Sequence, residues 1–251
     1  MRAALSVIIP TLNEEDYLPL LLTDLTKQTN KNFEVIIVDA QSDDQTKARA
    51  NKFKDSLNVR FMQLPRNGVS FQRNYGAEQA KSEYLFFLDA DSRIKNDVME
   101  RVVDHIKQEK KLLYLPVVES SNPGFIYRVL TTFSTYAVMG LQMIGKPLSL
   151  GPNMVIQKKL FERIGGFDTS YAIAEDHNLV INAHKNGVKA TFLFDVRCIF
   201  SMRRLEREGL ISVLWRYLHF TLITLFRDGV RTTHHEYKMG GHHYKKAPVT
   251  E

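Results

Sequence analysis

Asp89-Ala90-Asp91 follows directly on the apolar run Tyr84 to Leu88. Two carboxylates at i and i+2 beyond a strand end can offer one oxygen to a ribose hydroxyl and another to a hard divalent cation, which takes oxygen ligands and readily bridges phosphates. A nucleoside diphosphate would supply the remaining metal ligands. Thr11 and Asp39 follow two earlier apolar runs in the same way, and open α/β sheets bind ligands at the carboxyl ends of their strands. A single aspartate after a strand is ordinary turn chemistry. Three strand ends that deliver polar groups to one rim are a candidate site. Glu175-Asp176 is a second acidic pair; alone it reads as a helix N-terminus, where acids favour the macrodipole.

The elements that must position these groups show in the hydrophobic pattern. Leu5 to Pro10, Phe33 to Asp39, Val59 to Leu64 and Tyr84 to Leu88 have strand length, and the stretches between them carry helical spacing, as in Tyr17, Leu18, Leu21, Leu22 and Leu25. Continuous apolar strands separated by helices predict a parallel sheet covered on both faces. Thr11-Leu12-Asn13-Glu14 and Ser42-Asp43-Asp44-Gln45 have the form of capping boxes, which predicts a helix start at each.

These residues together resemble the inverting family 2 glycosyltransferases of the α/β GT-A fold, a Rossmann-like, mostly parallel sheet flanked by helices. Ser6-Val7-Ile8-Ile9-Pro10-Thr11-Leu12-Asn13-Glu14-Glu15 looks like that family's first strand and loop, and Val35 to Thr46 looks like its second. Gln72-Arg73-Asn74-Tyr75-Gly76-Ala77, Leu85 to Ser92, and Gly165-Gly166-Phe167-Asp168 followed by Ala174-Glu175-Asp176-His177-Asn178-Leu179 continue the match in order. The resemblance implies that Thr11, Glu14 and Asp39 contact the base and ribose of a nucleotide-sugar, with Arg73 beside them. It further implies that Asp89 holds the ribose and that Asp91 holds the Mg²⁺ or Mn²⁺ bridging the diphosphate. Asp176 matches the general base that deprotonates an acceptor hydroxyl, and Glu175 a residue that orients the acceptor or its loop. Asn178 departs from the acidic residue many relatives carry there. Ser201-Met202-Arg203-Arg204 resembles a basic segment that closes over the diphosphate, a task for which the planar guanidinium fork is suited.

The 251 residues carry 34 Lys+Arg against 28 Asp+Glu, a formal net charge of +6, with 44% hydrophobic residues and one cysteine, Cys198. That is globular composition, and it excludes a disulfide scaffold. The expected division is a GT-A domain over residues 1–205, with a nucleotide-binding half at 1–118 and an acceptor-side half at 119–205. Residues 206–251 follow as a C-terminal amphipathic helix and basic tail. Leu210 to Phe226 is apolar with Ser212, Arg216 and His219 on a narrow stripe, and residues 201–251 hold nine Lys+Arg against five acids, which places +4 of the total charge there. An apolar face flanked by cations reads as a helix lying on an anionic membrane, with a core-packing helix as the alternative. Val129 to Gly145 has no charged residue but is diluted by Thr131, Thr132, Ser134, Thr135 and Gln142, which suits a buried or interfacial helix rather than a spanning one.

The expected partners are a nucleotide-diphosphate sugar (UDP- or GDP-sugar), an acceptor sugar or lipid-linked acceptor, and a membrane surface, but no nucleic acid. The expected location is the cytoplasmic face of the membrane, as a peripheral protein of cell-envelope polysaccharide or glycolipid synthesis. His177, adjacent to the acidic pair, points elsewhere on a helix, and His234, His235, His242 and His243 fit no zinc module. A haloacid-dehalogenase-like phosphatase would open its domain on the Asp-x-Asp strand, whereas two strand-helix units precede it here. A nucleotidyltransferase would carry a basic Gly-rich loop after its first strand, where this chain has the acidic Pro10-Thr11-Leu12-Asn13-Glu14. A catalytically inactive membrane-surface scaffold would have no use for Asp91 and Asp176.

Overall fold

The computed structural model describes residues 3–65 and 68–201, and beyond them the single positions 203, 208, 209, 212, 215, 219, 221, 230 and 231. The four expected strands form as β1 (Leu5–Thr11), β2 (Phe33–Asp39), β3 (Val59–Gln63) and β4 (Tyr84–Phe87). β1, β2 and β4 are buried at every position, which explains why they read as continuous apolar runs. They are joined by α1 (Leu18–Thr26), α2 (Thr46–Asn51) and α3 (Val69–Gln79). The later elements are β5 (Arg93–Ile94), α4 (Val98–Glu109), β6 (Leu113–Ser120), α5 (Phe125–Met143), β7 (Met154–Gln157), α6 (Lys158–Arg163), β8 (Tyr171–Ile173), α7 (Glu175–Lys185), β9 (Thr191–Phe200) and β10 (Val230–Arg231).

One eight-stranded sheet has the order β3-β2-β1-β4-β7-β6-β9-β5, and β10 pairs with β8 in a separate ribbon. β3, β2, β1 and β4 are parallel; β7 runs antiparallel to both β4 and β6, β9 is parallel to β6, and β5 is antiparallel to β9. The sheet is therefore mostly parallel, with its strand order switching between β1 and its neighbours β2 and β4. Register places Thr11 directly beside Asp39, and the amide of Leu88 donates to the carbonyl of Ile8 at 3.0 Å. Three strand ends thus share one rim at the switch point, where an open sheet leaves a crevice.

Side chains alternate across the sheet. Leu5, Val7 and Ile9 join Leu18, Leu21, Leu22 and Leu25 of α1 and Val98, Met99 and Val102 of α4 on one face. Ile8 joins Ala77 of α3, Phe161 of α6, Phe167, and Leu179 and Val180 of α7 on the other. Each fully buried Leu, Ile or Phe contributes about 1.5–3 kcal/mol relative to exposure. Cys198 is buried as well, and burial pushes its thiol up to about 12, so it behaves as a small apolar side chain.

Neither expected capping box caps a helix. α1 begins at Leu18 and α2 at Thr46, each without a side-chain cap. Thr11 instead ends β1 and donates to Asp39, and Ser42 also donates to Asp39. The two loops lock onto each other: the Asn13 amide donates to the Ser42 hydroxyl at 2.8 Å, the Asp43 amide to Asn13 Oδ1 at 3.0 Å, and the Glu14 amide to the Thr46 hydroxyl at 2.9 Å.

α5 covers the uncharged stretch, and it is not buried: Thr135 is its one buried residue. Among the described residues no helix is long and apolar enough to cross a membrane. Most of the expected C-terminal helix and tail lies outside the described residues. Positions 208, 212, 215, 219 and 221 are helical, while Val230–Arg231 forms the short strand β10.

Candidate active site

α3 is seated closer to the sheet than a larger residue would allow. A Cβ added at Gly76 would lie 2.5 Å from Ile8 Cγ2 and 3.2 Å from Val38 Cγ2. From that seat three consecutive side chains reach three parts of the rim. Gln72 Nε2 donates to the carbonyls of Thr11 (2.8 Å) and Val38 (2.7 Å), tying the ends of β1 and β2. Arg73 donates one guanidinium nitrogen to Asp89 at 2.8 Å and the other to Glu175 at 2.7 Å. Asn74 clamps the backbone of Phe167, donating to its carbonyl at 2.7 Å and accepting from its amide at 2.9 Å.

Arg73 is buried, lies over the Phe167 ring with its guanidinium carbon 5.3 Å from the centroid, and has no hydrogen-bond partner at Nε. Burial opposes its charge, but Asp89 and Glu175 outweigh that and raise its pKa further. Burial pushes the Glu175 carboxyl above the usual range, and neighbouring Asp176 adds to this against the pull of Arg73. The pair opens α7 just after Ala174, a non-glycine residue at φ +67°. Such a backbone costs about 1–3 kcal/mol and is held only where surrounding structure enforces it. Asp176 is nearly buried, with Oδ2 3.8 Å from His177 Nδ1. His177 is itself engaged, its Nδ1 accepting from the amide of Ser149 at 3.1 Å.

Asp39 is fully buried. Its two oxygens accept from the Thr11 hydroxyl (3.0 Å), the Ser42 hydroxyl (2.5 Å), the Ser42 amide (2.9 Å) and Gln63 Nε2 (3.4 Å). In this state it anchors the rim, and the long Gln63 contact is the one most readily exchanged for a ligand donor.

Arg203 reaches back from the C-terminal segment to Glu14, with Nη1 and Nη2 at 2.8 and 2.7 Å from its two oxygens. Its Nε lies 3.0 Å from Asp91 Oδ2, and its guanidinium lies over the Tyr17 ring at 4.6 Å. Burial pushes Glu14 up to about 7 even against this cation. Asp91 therefore already faces a cation, and its oxygen chemistry suits Mg²⁺ or Mn²⁺. Among the described residues no cluster of three or more His, Cys, Asp or Glu could hold a metal alone. A cation here would take one or two protein carboxylates and complete its shell from phosphates and water.

The structure thus brings together Thr11 with Asp39, Arg73 with Asp89 and Glu175, and Arg203 with Glu14 and Asp91, with Asp176 beside Glu175. Arg204 lies outside the described residues. Sequence reasoning passed over Asn153, whose Oδ1 accepts from the amide of Asp89 at 3.3 Å and whose side chain meets Ser92. Its signal was one amide residue leading an apolar strand. Tyr17, read as part of the apolar stripe of a helix, instead precedes α1 and stacks on Arg203.

Residues 6–165 match the family model described as Glycosyl transferase family 2. The chain belongs to glycosyl transferase family 2. An uncharacterized glycosyltransferase of Haemophilus influenzae is 32% identical over 185 residues, which cover 70% of this chain and 60% of that protein. The poly(ribitol-phosphate) beta-N-acetylglucosaminyltransferase TarS of Staphylococcus aureus is 27% identical over 216 residues, 82% of this chain and 37% of TarS. The chain therefore spans 60% or less of the length of these family 2 relatives.

Among solved structures, TarS 1-349 in complex with UDP-GlcNAc superposes with a TM-score of 0.65 at 24% identity, covering 78% of this chain and 58% of that one. The mannosyltransferase PcManGT of Pyrobaculum calidifontis, in complex with GDP-Man and Mn²⁺, gives 0.69 at 22% identity, covering 92% and 66%. The likeness establishes the fold, the GT-A arrangement expected of a family 2 chain.

Proposed function

We propose that this chain transfers a sugar from a nucleotide-diphosphate sugar to an acceptor hydroxyl or lipid phosphate, inverting the anomeric centre in one displacement. The observation that carries the reading is Arg73, one buried cation hydrogen-bonded both to Asp89 of the Asp-x-Asp turn and to Glu175 of the acidic pair. It fixes the donor-side and acceptor-side carboxylates relative to each other, as a displacement between two bound substrates requires.

In this reading Thr11, Glu14 and Asp39 form the base and ribose wall, Asp89 holds the ribose, and Asp91 meets the divalent cation. A bound Mg²⁺ or Mn²⁺ would supply Lewis-acid stabilisation of the diphosphate leaving group. Arg203, with Arg204 next to it in sequence, exchanges Glu14 for diphosphate oxygens when donor binds, adding charge-assisted hydrogen bonds where negative charge develops. Asp176 takes the acceptor proton, and Glu175, locked to Arg73, holds the start of α7 in place. UDP- and GDP-sugars are both compatible donors, since TarS is described with UDP-GlcNAc and PcManGT with GDP-Man. We place the acceptor among cell-envelope glycans and glycolipids, with the poly(ribitol-phosphate) in the name of TarS as support, and the enzyme at the cytoplasmic face of a membrane as a peripheral protein.

Asp91→Asn should abolish both turnover and metal-dependent nucleotide binding, whereas Asp176→Asn should abolish turnover while nucleotide still binds. Near-normal transfer by either variant refutes the role given to that residue. A thermal-shift panel of nucleoside diphosphates and nucleotide-sugars, with and without Mn²⁺, identifies the donor, because a ligand of the native state raises its apparent stability.

A further inference from the structure

α5 presents its apolar side outward. At about 100° per residue, Phe125, Val129, Phe133, Tyr136 and Met143 fall within one arc of about 80°. Phe125 is 82% exposed, Phe133 70%, Tyr136 57% and Met143 81%, while Thr135 faces the protein body. Phe194 of β9 widens the stripe by stacking on Tyr136, with ring centroids 6.2 Å apart. Helices of water-soluble domains bury such a stripe, and contiguous exposed apolar surface marks an interaction site.

Two further features specify the partner. Thr131, Ser134 and Thr135 each donate a hydroxyl hydrogen bond to the carbonyl four residues earlier, so these three hydroxyls are satisfied within the helix. From Ser120 to Phe161 there is no Asp or Glu, while Arg128 in α5 and Lys146 just beyond it are both exposed. A second copy of this chain docked face to face would bring this acid-free, cationic stretch against itself, like charge to like. A surface that is apolar in depth and anionic at its boundary complements the stripe on both counts.

We propose that the outward face of α5 docks on an anionic lipid bilayer, with its aromatic stripe at acyl-chain depth and Arg128 and Lys146 among the headgroups. The Ser149 amide, six residues beyond Met143, bonds His177 beside Asp176, so the docked helix leads directly to the acceptor side. This deepens the membrane part of the proposed function and rests on it for the acceptor's position. Docking itself is measured without donor or turnover, so it can fail while glycosyl transfer stands.

The test is flotation of the full-length chain with phosphatidylcholine vesicles that contain or lack phosphatidylglycerol. Wild type should float with the anionic vesicles and weakly with the neutral ones. Phe125→Ser/Phe133→Ser/Met143→Ser, at exposed positions and with an unchanged circular dichroism spectrum, should lose about tenfold or more of the bound fraction. Arg128→Gln/Lys146→Gln should lose the preference for anionic vesicles. The proposal is overturned if wild type does not float, or if the triple variant floats undiminished. It is also overturned if Trp215→Ser alone abolishes flotation, which assigns binding to the C-terminal segment. A triple variant that only converts a dimer to a monomer in light scattering makes the face an interface between copies.

Discussion

Arg203 grips Glu14 with two parallel hydrogen bonds across 189 residues of sequence, and the same guanidinium touches Asp91. A side chain of the chain itself thus provides positive charge at the carboxylate assigned to the metal. Arg203→Ala removes a neighbour that competes for Asp91 and, in the proposed function, a ligand for the diphosphate. Calorimetry should show Mn²⁺ alone binding more tightly to the variant, and nucleoside diphosphate binding more weakly by about 1.5–3 kcal/mol, the range of hydrogen bonds to charged groups. Tighter nucleotide binding by the variant would mean that Arg203 only obstructs.

Arg73→Lys keeps a positive charge but loses the fork that spans Asp89 and Glu175. Lysine is a point charge without two parallel donor directions. We expect kcat to fall by about 10–100-fold and the thermal midpoint to drop, because breaking a buried pair strands a carboxylate at a cost of about 3–5 kcal/mol. A variant with wild-type kcat would show that the bridge is structural alone.

Gly76→Ala and Gly140→Ala should move stability in opposite directions. The Cβ at Gly76 meets Ile8 Cγ2 at 2.5 Å, and such overpacking costs about 1–3 kcal/mol. Gly140, on the outer side of α5, has nothing within 4 Å of its added Cβ, so alanine gains about 0.5–1 kcal/mol of helix preference. Urea midpoints of the two variants decide this. Only Gly76→Ala should also slow turnover, since α3 carries Gln72, Arg73 and Asn74.

Two glutamates give opposite pH slopes. Burial acts to raise Glu34, but the Ser6 hydroxyl, the Lys81 amide and Arg60 together hold it below the ordinary carboxylate value of 4.5. Its contribution is full above that value and is lost as pH falls through the depressed one. The cost of Glu34→Gln, about 1.5–3 kcal/mol at pH 7 for hydrogen bonds to a charged group, should therefore shrink in acid. Glu14 is raised to about 7, so the folded state binds more protons than the unfolded between 4.5 and 7, and stability falls as pH rises through that window. Glu14→Gln should remove that decline. Denaturant titrations of both variants from pH 3 to 8 test the two signs.

The parallel half of the sheet was legible because β1, β2 and β4 are buried on both faces and leave unbroken apolar runs. The strand ends, and with them Thr11, Asp39 and Asp89, followed from those runs. The capping boxes misled because Thr11 and Ser42 have a stronger acceptor in Asp39, which register between strands brings beside Thr11 and which lies three residues before Ser42. The antiparallel insertion of β7 and the pairing of β6 with β9 leave no periodic mark. The contacts of Arg73 with Glu175 and of Arg203 with Glu14 join residues 102 and 189 positions apart, and only the folded chain brings them together. The segment around 129–145 was readable as a helix, but which way it turned its apolar side was not, since a stripe facing the core and a stripe facing outward have the same spacing.

The three adjacent anchors on α3 bear on how such a protein could be recombined. Gln72 holds strand ends from the first part of the chain, whereas Arg73 and Asn74 hold Glu175 and Phe167 from the second. A chimera with a crossover between them inherits the helix from one parent and its partners from the other. Exchanging acceptor preference by grafting the second part alone should succeed only between parents that agree at these three positions and at the carboxylate and backbone groups they grasp.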